Sequence, residues 1–195
     1  MSKMLAPIHS LMYQKILLLE DLTDQFLGIA SREVREDVKN RCGEADRSPL
    51  EEVTDRTNIH GWIQSRIAAA ETRFAATMLA ILAEGKLSLM RLEQEASNFG
   101  ECHAIPDASA PLDAVTAWQQ TFLDGMPCDR VLELAENSER TVRIRVLQDT
   151  HGAFWEALGG SADTYYILRQ SWMRGMLKGT KLTVNFDKDG YSVNR

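Results

Sequence analysis

Apolar residues recur every three or four positions from Ile8 onward, through Leu11, Met12, Ile16, Leu19, Leu22, Phe26 and Ile29. That spacing places them on one stripe of a helix and predicts a single long rod over residues 7 to 38. Pro7 suits its first turn, where a missing N–H leaves nothing unsatisfied. Past Ala30 the segment SREVREDVKNRCGEADRSP turns polar, and Gly43 and Ser48-Pro49 mark a stop. Residues 40 to 57 therefore read as an exposed connection. A second rod begins after Asn58, a natural N-cap, and carries Ile59, Ile63, Ile67, Phe74, Met78, Ile81 and Leu82 before ending at Gly85. Ala68, Ala69, Ala70, Ala75 and Ala76 keep it slim enough for another helix to approach closely.

The same period continues in KLSLMRLEQEASNFG, a shorter helix stopped at Gly100, and after the loop ECHAIPDASAP in PLDAVTAWQQTFLDG. Beyond Gly125 the period changes to two. In ERTVRIRVL, Val142, Ile144 and Val146 alternate with Arg143 and Arg145, as in a strand with one wet face. The preceding RVLEL fits either its hairpin partner or a short helix. HGAFWEALGG reads as a short helix and SADTYYILRQSWMRGMLKG as a longer one capped by Ser161. KLTVNFDKDGYSVNR reads as a hairpin turning over Asp187 to Gly190. Helices first and strands later predict a mainly helical α+β fold. Its N-terminal layer of long antiparallel helices covers residues 1–125. Residues 126–195 form a small antiparallel β-sheet with two helices, packed with the first part as a single domain.

Composition alters this picture little. The balance of 44% hydrophobic and 26% charged residues is that of an ordinary globular protein with a core. A net charge of -6 argues against nucleic acid as a partner. The opening MSKMLAPIHSLMYQKILLLE lacks the continuous apolar run of a secretory leader, and no stretch approaches the roughly 18 apolar residues of a membrane span. Three widely separated cysteines, Cys42, Cys102 and Cys128, suit reduced thiols and a cytoplasmic location.

Candidate chemistry starts with an echo. PIHSLMYQKILLLE at residues 7–20 is answered by NIHGWIQSRIAAAE at 58–71, pairing Ile8 with Ile59, His9 with His60, Lys15 with Arg66, Ile16 with Ile67 and Glu20 with Glu71. The His and Glu of each copy lie about three turns, roughly 16 Å, apart on one helix, too far to share a metal. Two antiparallel rods would instead set His9 beside Glu71 and Glu20 beside His60. A divalent metal held by His9, Glu20, His60 and Glu71 is the functional reading of the echo. Packing or capping histidines on two amphipathic helices are its plainer reading.

A second cluster lies near the C-terminus. His151 sits at the first turn of a short helix that Asp149 or Thr150 can cap. The helix dipole there would lower its pKa. Its plain reading is a solvent-facing histidine, and its functional one is a neutral imidazole at the mouth of a pocket. Trp155, Tyr165, Tyr166, Arg169 and Trp172 could line such a pocket around a small apolar ligand, or simply cover the sheet as core. Cys102, His103, Cys128 and His151 lack the close-spaced pairs of a zinc site. No phosphate-binding or nucleophile motif occurs.

The sequence does not single out a function. A cytoplasmic, sensor-like protein binding a small ligand or metal is the leading expectation. The alternative is a homodimeric assembly protein joined through the alanine face of 68 to 76. An enzyme dependent on histidine or a metal is a third class, and no cofactor is identified.

Overall fold

The computed structural model describes residues 6–55 and 57–195. The start of the segment weighed above as a leader, residues 1–5, lies outside them. The fold is mainly helical α+β. Among the described residues, eight helices accompany a small antiparallel sheet.

The predicted first rod is two helices, α1 (Pro7–Ile29) and α2 (Arg32–Cys42). Ala30 and Ser31 are extended between them. The break has a local cause: the Ser31 hydroxyl accepts from the backbone N–H of Val34 at 3.2 Å and caps α2. Arg35 donates to the Ala30 carbonyl at 2.7 Å, satisfying an oxygen freed by the end of α1. The connection holds a one-turn helix, α3 (Leu50–Val53), and leads into α4 (Ile59–Glu84). Asn58 caps α4 by accepting from the Gly61 N–H at 3.1 Å, and Gly85 closes it in a left-handed conformation, φ 72°.

α1 and α4 lie side by side, but they run parallel, which corrects the expected antiparallel layer. His9 lies by His60, Tyr13 by Trp62, Glu20 by Arg73 and Phe26 by Phe74, in ascending order on both helices. The chain can do this because α2 and the following loop carry it back along α1. Arg47 binds Asp21 and Asp24 at 2.5 and 2.7 Å, and the Tyr13 hydroxyl donates to the Ser48 carbonyl at 2.7 Å. The connection is thus a packed return path as well as a surface loop.

α5 (Leu89–Cys102) continues past Gly100, because Gly100 is the contact that lets α8 (Asp163–Met176) lie against it. A Cβ on Gly100 would stand 2.2 Å from the Trp172 carbonyl oxygen, and one on Gly175 2.2 Å from that of Ser97. α6 (Pro111–Thr121) and a 3-10 turn (Pro127–Asp129) lead into the sheet. Its strands are β1 (Leu132–Asn137), β2 (Thr141–Val146), β3 (Thr183–Asp187) and β4 (Gly190–Asn194), in the order β1-β2-β4-β3, all antiparallel. Residues 132–137 are therefore a strand, the first of the two alternatives for that stretch. Both hairpins form, and β2 of the first pairs with β4 of the second to join them.

Val142 and Ile144 on β2 pair with Val193 and Tyr191 on β4, and all four are buried under the helices. Trp118 of α6 meets Tyr191 edge-on at 5.6 Å. α7 (Gly152–Glu156) packs on α4, so one continuous cluster of buried apolar residues runs from Met12 to Val193. Ala70, Ala75 and Ala76 belong to this cluster or its immediate surround and are fully buried. Of the alanine face of α4, Ala70, Ala75 and Ala76 are thus covered within the chain, whereas Ala68 is half-buried and Ala69 exposed.

The Gly100–Gly175 contact makes a direct prediction. Gly100→Ala or Gly175→Ala should destabilise the protein by about 2 kcal/mol or more, because backbone must move apart. Gly28→Ala, on an exposed part of α1 with nothing near its Cβ, should instead stabilise it by about 0.5–1 kcal/mol through helix propensity. Urea unfolding of the three variants checks both signs.

Candidate functional site

The site grows from the loop between β2 and α7. The Asp149 carboxylate accepts from the backbone N–H groups of His151 and Gly152 at 2.8 and 3.0 Å, bracing the start of the short helix, although the N-cap position itself is His151 and not Asp149 or Thr150. It also accepts from the Tyr166 hydroxyl of α8 at 2.6 Å, which ties the loop to that helix. Burial raises the Asp149 pKa, but these hydrogen bonds outweigh it and leave the carboxyl below its ordinary value.

This anchoring turns His151 inward. Its side chain is 2% exposed, contrary to both the solvent-facing reading and the pocket-mouth reading. The ring stacks on Tyr165 at 3.9 Å, and Nδ1 donates to the Glu71 carboxylate of α4 at 3.0 Å. Burial disfavours the imidazolium, but Glu71 and then Asp124 outweigh it, so the pKa is raised to about 9. The expected lowering by the helix dipole is overturned. A five-residue helix end contributes less than a carboxylate in direct contact.

Asp124, just beyond α6, carries the other half of the arrangement. Arg169 of α8 donates to both its oxygens, from Nη1 to Oδ1 and from Nη2 to Oδ2 at 2.8 Å. Arg169 also lies over the Phe122 ring at 4.6 Å. Burial raises the Asp124 pKa, but the guanidinium outweighs it and holds the carboxyl well below the usual range. Asp124 Oδ1 stands 3.8 Å from His151 Nε2, beyond hydrogen-bond reach, so its effect on the imidazolium is chiefly one of charge. Nε2 is buried and has no hydrogen-bond partner among the described residues.

His151, Asp124 and Arg169 line the inner end of a cleft of about 410 Å³ between α8 and the sheet. Val131, Val146, Met173, Phe186 and Tyr191 give it apolar walls, and Gln148, Gln170 and Lys188 its polar margin. Burial raises the Tyr191 pKa to about 12, so its hydroxyl is neutral at physiological pH. Chemically, the arrangement presents a buried cationic N–H donor next to a carboxylate that is already paired with arginine. No protein-family model, no curated protein and no solved structure matches the chain.

The residues expected to bind a ligand divide into two sets. His151, Tyr166 and Arg169 line the cleft. Tyr165 lies beneath the imidazole, Trp155 packs on Phe74, and Trp172 lies between Phe99 and Phe122. The four residues expected to hold a metal are separated by the parallel packing. Glu20 binds Arg73, Glu71 binds His151, and His9 meets His60 edge-on at 5.6 Å. Among the described residues no group of three or more His, Cys, Asp or Glu could hold a metal ion. Cys102 ends α5 and His103 Nδ1 bonds the Phe99 carbonyl, which leaves the zinc arrangement unassembled.

Asp124 was not anticipated. Its only local signal is a carboxylate directly before Gly125, whose φ of +67° turns the chain. Its partners lie 27 and 45 positions away on other elements.

The His151–Glu71 pair predicts how stability depends on pH. A folded pKa near 9 exceeds the ordinary imidazole value of about 6.5. Stability from this charge is thus complete below about pH 6.5 and is lost as pH rises through 9. Glu71→Gln should cost about 3 kcal/mol at neutral pH, as expected when a buried pair loses one partner. It should also flatten the loss between pH 7 and 10. Urea unfolding across that range, with imidazole ¹⁵N shifts read alongside, checks both effects.

Proposed function

We propose that the protein binds a small molecule in the cleft between α8 and the sheet, held at its inner end by His151. The observation that carries this reading is the buried imidazole Nε2 of His151, which has no hydrogen-bond partner among the described residues, in a side chain that lines an apolar-walled cleft; with the pKa raised to about 9, that nitrogen carries a proton at neutral pH. A desolvated donor without an acceptor costs about 1–3 kcal/mol, and more when charged. A ligand that supplies the acceptor recovers that cost. The apolar walls would hold the body of the ligand, as in small-molecule sites generally.

A metal is a poorer occupant, since an imidazole must lose its proton to coordinate and Glu71 favours keeping it. The dimer reading keeps only Ala69 and part of Ala68 as an accessible part of the alanine face, since Ala70, Ala75 and Ala76 are buried within the chain. Cytoplasmic residence fits three unpaired thiols, Cys42, Cys102 and Cys128. No helix of the described residues is long and apolar enough to cross a membrane.

The test is a fragment soak of crystals of the full chain, paired with thermal-shift measurements. Fragments should collect in the cleft within hydrogen-bond distance of His151 Nε2 and raise the melting temperature. His151→Phe, if folded, should abolish both effects. An empty cleft across a diverse fragment set, with no thermal stabilisation, would refute the reading.

A further inference from the structure

The charges at the inner end of the cleft narrow the chemistry of its occupant; the inference rests on the binding reading above. Asp124 takes Arg169 through both its oxygens, and Glu71 takes His151 through Nδ1. Nearby, Lys15 of α1 adds a positive charge felt by Asp124, and Asp149 a negative one felt by His151. These six groups balance. At the inner end, away from Lys188 at the polar margin, a carboxylate ligand would lie beside Asp124 with both cations already engaged, and an ammonium would lie beside His151 and Arg169 with both acids engaged. Bringing either in would bury an uncompensated charge.

What the floor does offer is a donor and an acceptor side by side. Nε2–H of His151 has no partner among the described residues, and Oδ1 of Asp124, 3.8 Å away, keeps a lone pair after accepting from Arg169. The two are too far apart to satisfy one another. An amide or lactam presents its carbonyl oxygen and its N–H along one edge, the pattern complementary to such a pair.

We propose that the cleft selects an uncharged molecule with a primary amide or lactam edge. Its carbonyl oxygen accepts from His151 Nε2–H while its N–H donates to Asp124 Oδ1. The apolar walls formed by Val131, Val146, Met173 and Phe186 suit a flat, weakly polar body behind that edge.

The test titrates the full chain with five matched probes, followed by ligand-observed NMR and by crystal soaks. 2-Pyridone and benzamide carry the whole edge. N-Methyl-2-pyridone keeps the carbonyl and loses the N–H, whereas benzoate and benzamidinium carry a negative and a positive charge. The first two should bind in the cleft with both hydrogen bonds visible, and the other three about tenfold more weakly or worse, as expected for loss of a hydrogen bond to a charged group. His151→Gln, which keeps an N–H donor, should retain 2-pyridone within about threefold, and His151→Phe should lose it.

Should benzoate or benzamidinium bind the cleft more tightly than 2-pyridone, the uncharged edge is wrong while the binding site stands. The same holds if N-methyl-2-pyridone matches 2-pyridone, because Asp124 then takes no part. If the diverse fragments fill the cleft but neither amide probe does, this inference alone fails. If the cleft stays empty of every compound, the binding reading fails with it. The poses in the unmodified protein decide the matter even if the Phe variant does not fold.

Discussion

The contact between the Glu71 carboxylate and the His151 imidazole joins the two regions of the chain that differ most in character. Glu71 is in the middle of α4, among the long helices, and His151 is in the loop leaving the sheet. Both are almost wholly buried, so each ion is tolerable only because the other is present. Asp124 and Arg169 repeat the arrangement one step further in, at the junction of α6 and α8. Four elements are thereby oriented by two ion pairs. That orientation places the His151 imidazole among the residues lining the cleft, so the same atoms that hold the elements together also shape it.

The long helices reach this arrangement by a less obvious route than simple antiparallel packing. α1 and α4 run parallel because α2 and the loop after it return the chain beside α1, pinned by Arg47 and Tyr13. In that parallel register the two Ile-His phrases lie level, and His9 meets His60. The same register leaves each glutamate to find a different partner. Glu20 takes Arg73 and Glu71 turns towards His151. The likeness of the two phrases is that of two amphipathic helices packed in step, with the chemistry shared out to other elements.

The cleft follows from how the sheet is covered. α6 packs on β2 and β4 and α8 on β3, and Gly100 and Gly175 let α5 draw α8 close. The loop bearing Asp149 and His151 is tied to α8 by the Tyr166 hydroxyl, and Asp149 also accepts from two backbone N–H groups of that loop. An apolar-walled gap lies between this loop, α8 and the sheet, with polar groups at its inner end.

Much of the architecture is legible in local patterns. The three-and-four spacing of Met12, Ile16, Leu19 and Phe26 marks a buried helix face, alternation around Val142 and Ile144 marks a strand, and Asn58 and Gly85 mark where a helix begins and ends. These signals are legible because helix and strand periods, caps and turns are set by residues a few positions apart. Even there a single hydroxyl, that of Ser31, divides a stripe that periodicity alone would continue. The direction of one helix beside another carries no such signal, since an apolar face packs equally well either way up. The pairing of Glu71 with His151 across 80 positions, and of Asp124 with Arg169 across 45, is likewise invisible locally. A buried charge has no preferred partner until the fold excludes water and leaves one opposite charge within reach; the ionisation state of His151 was therefore settled by packing and not by its neighbours in the chain.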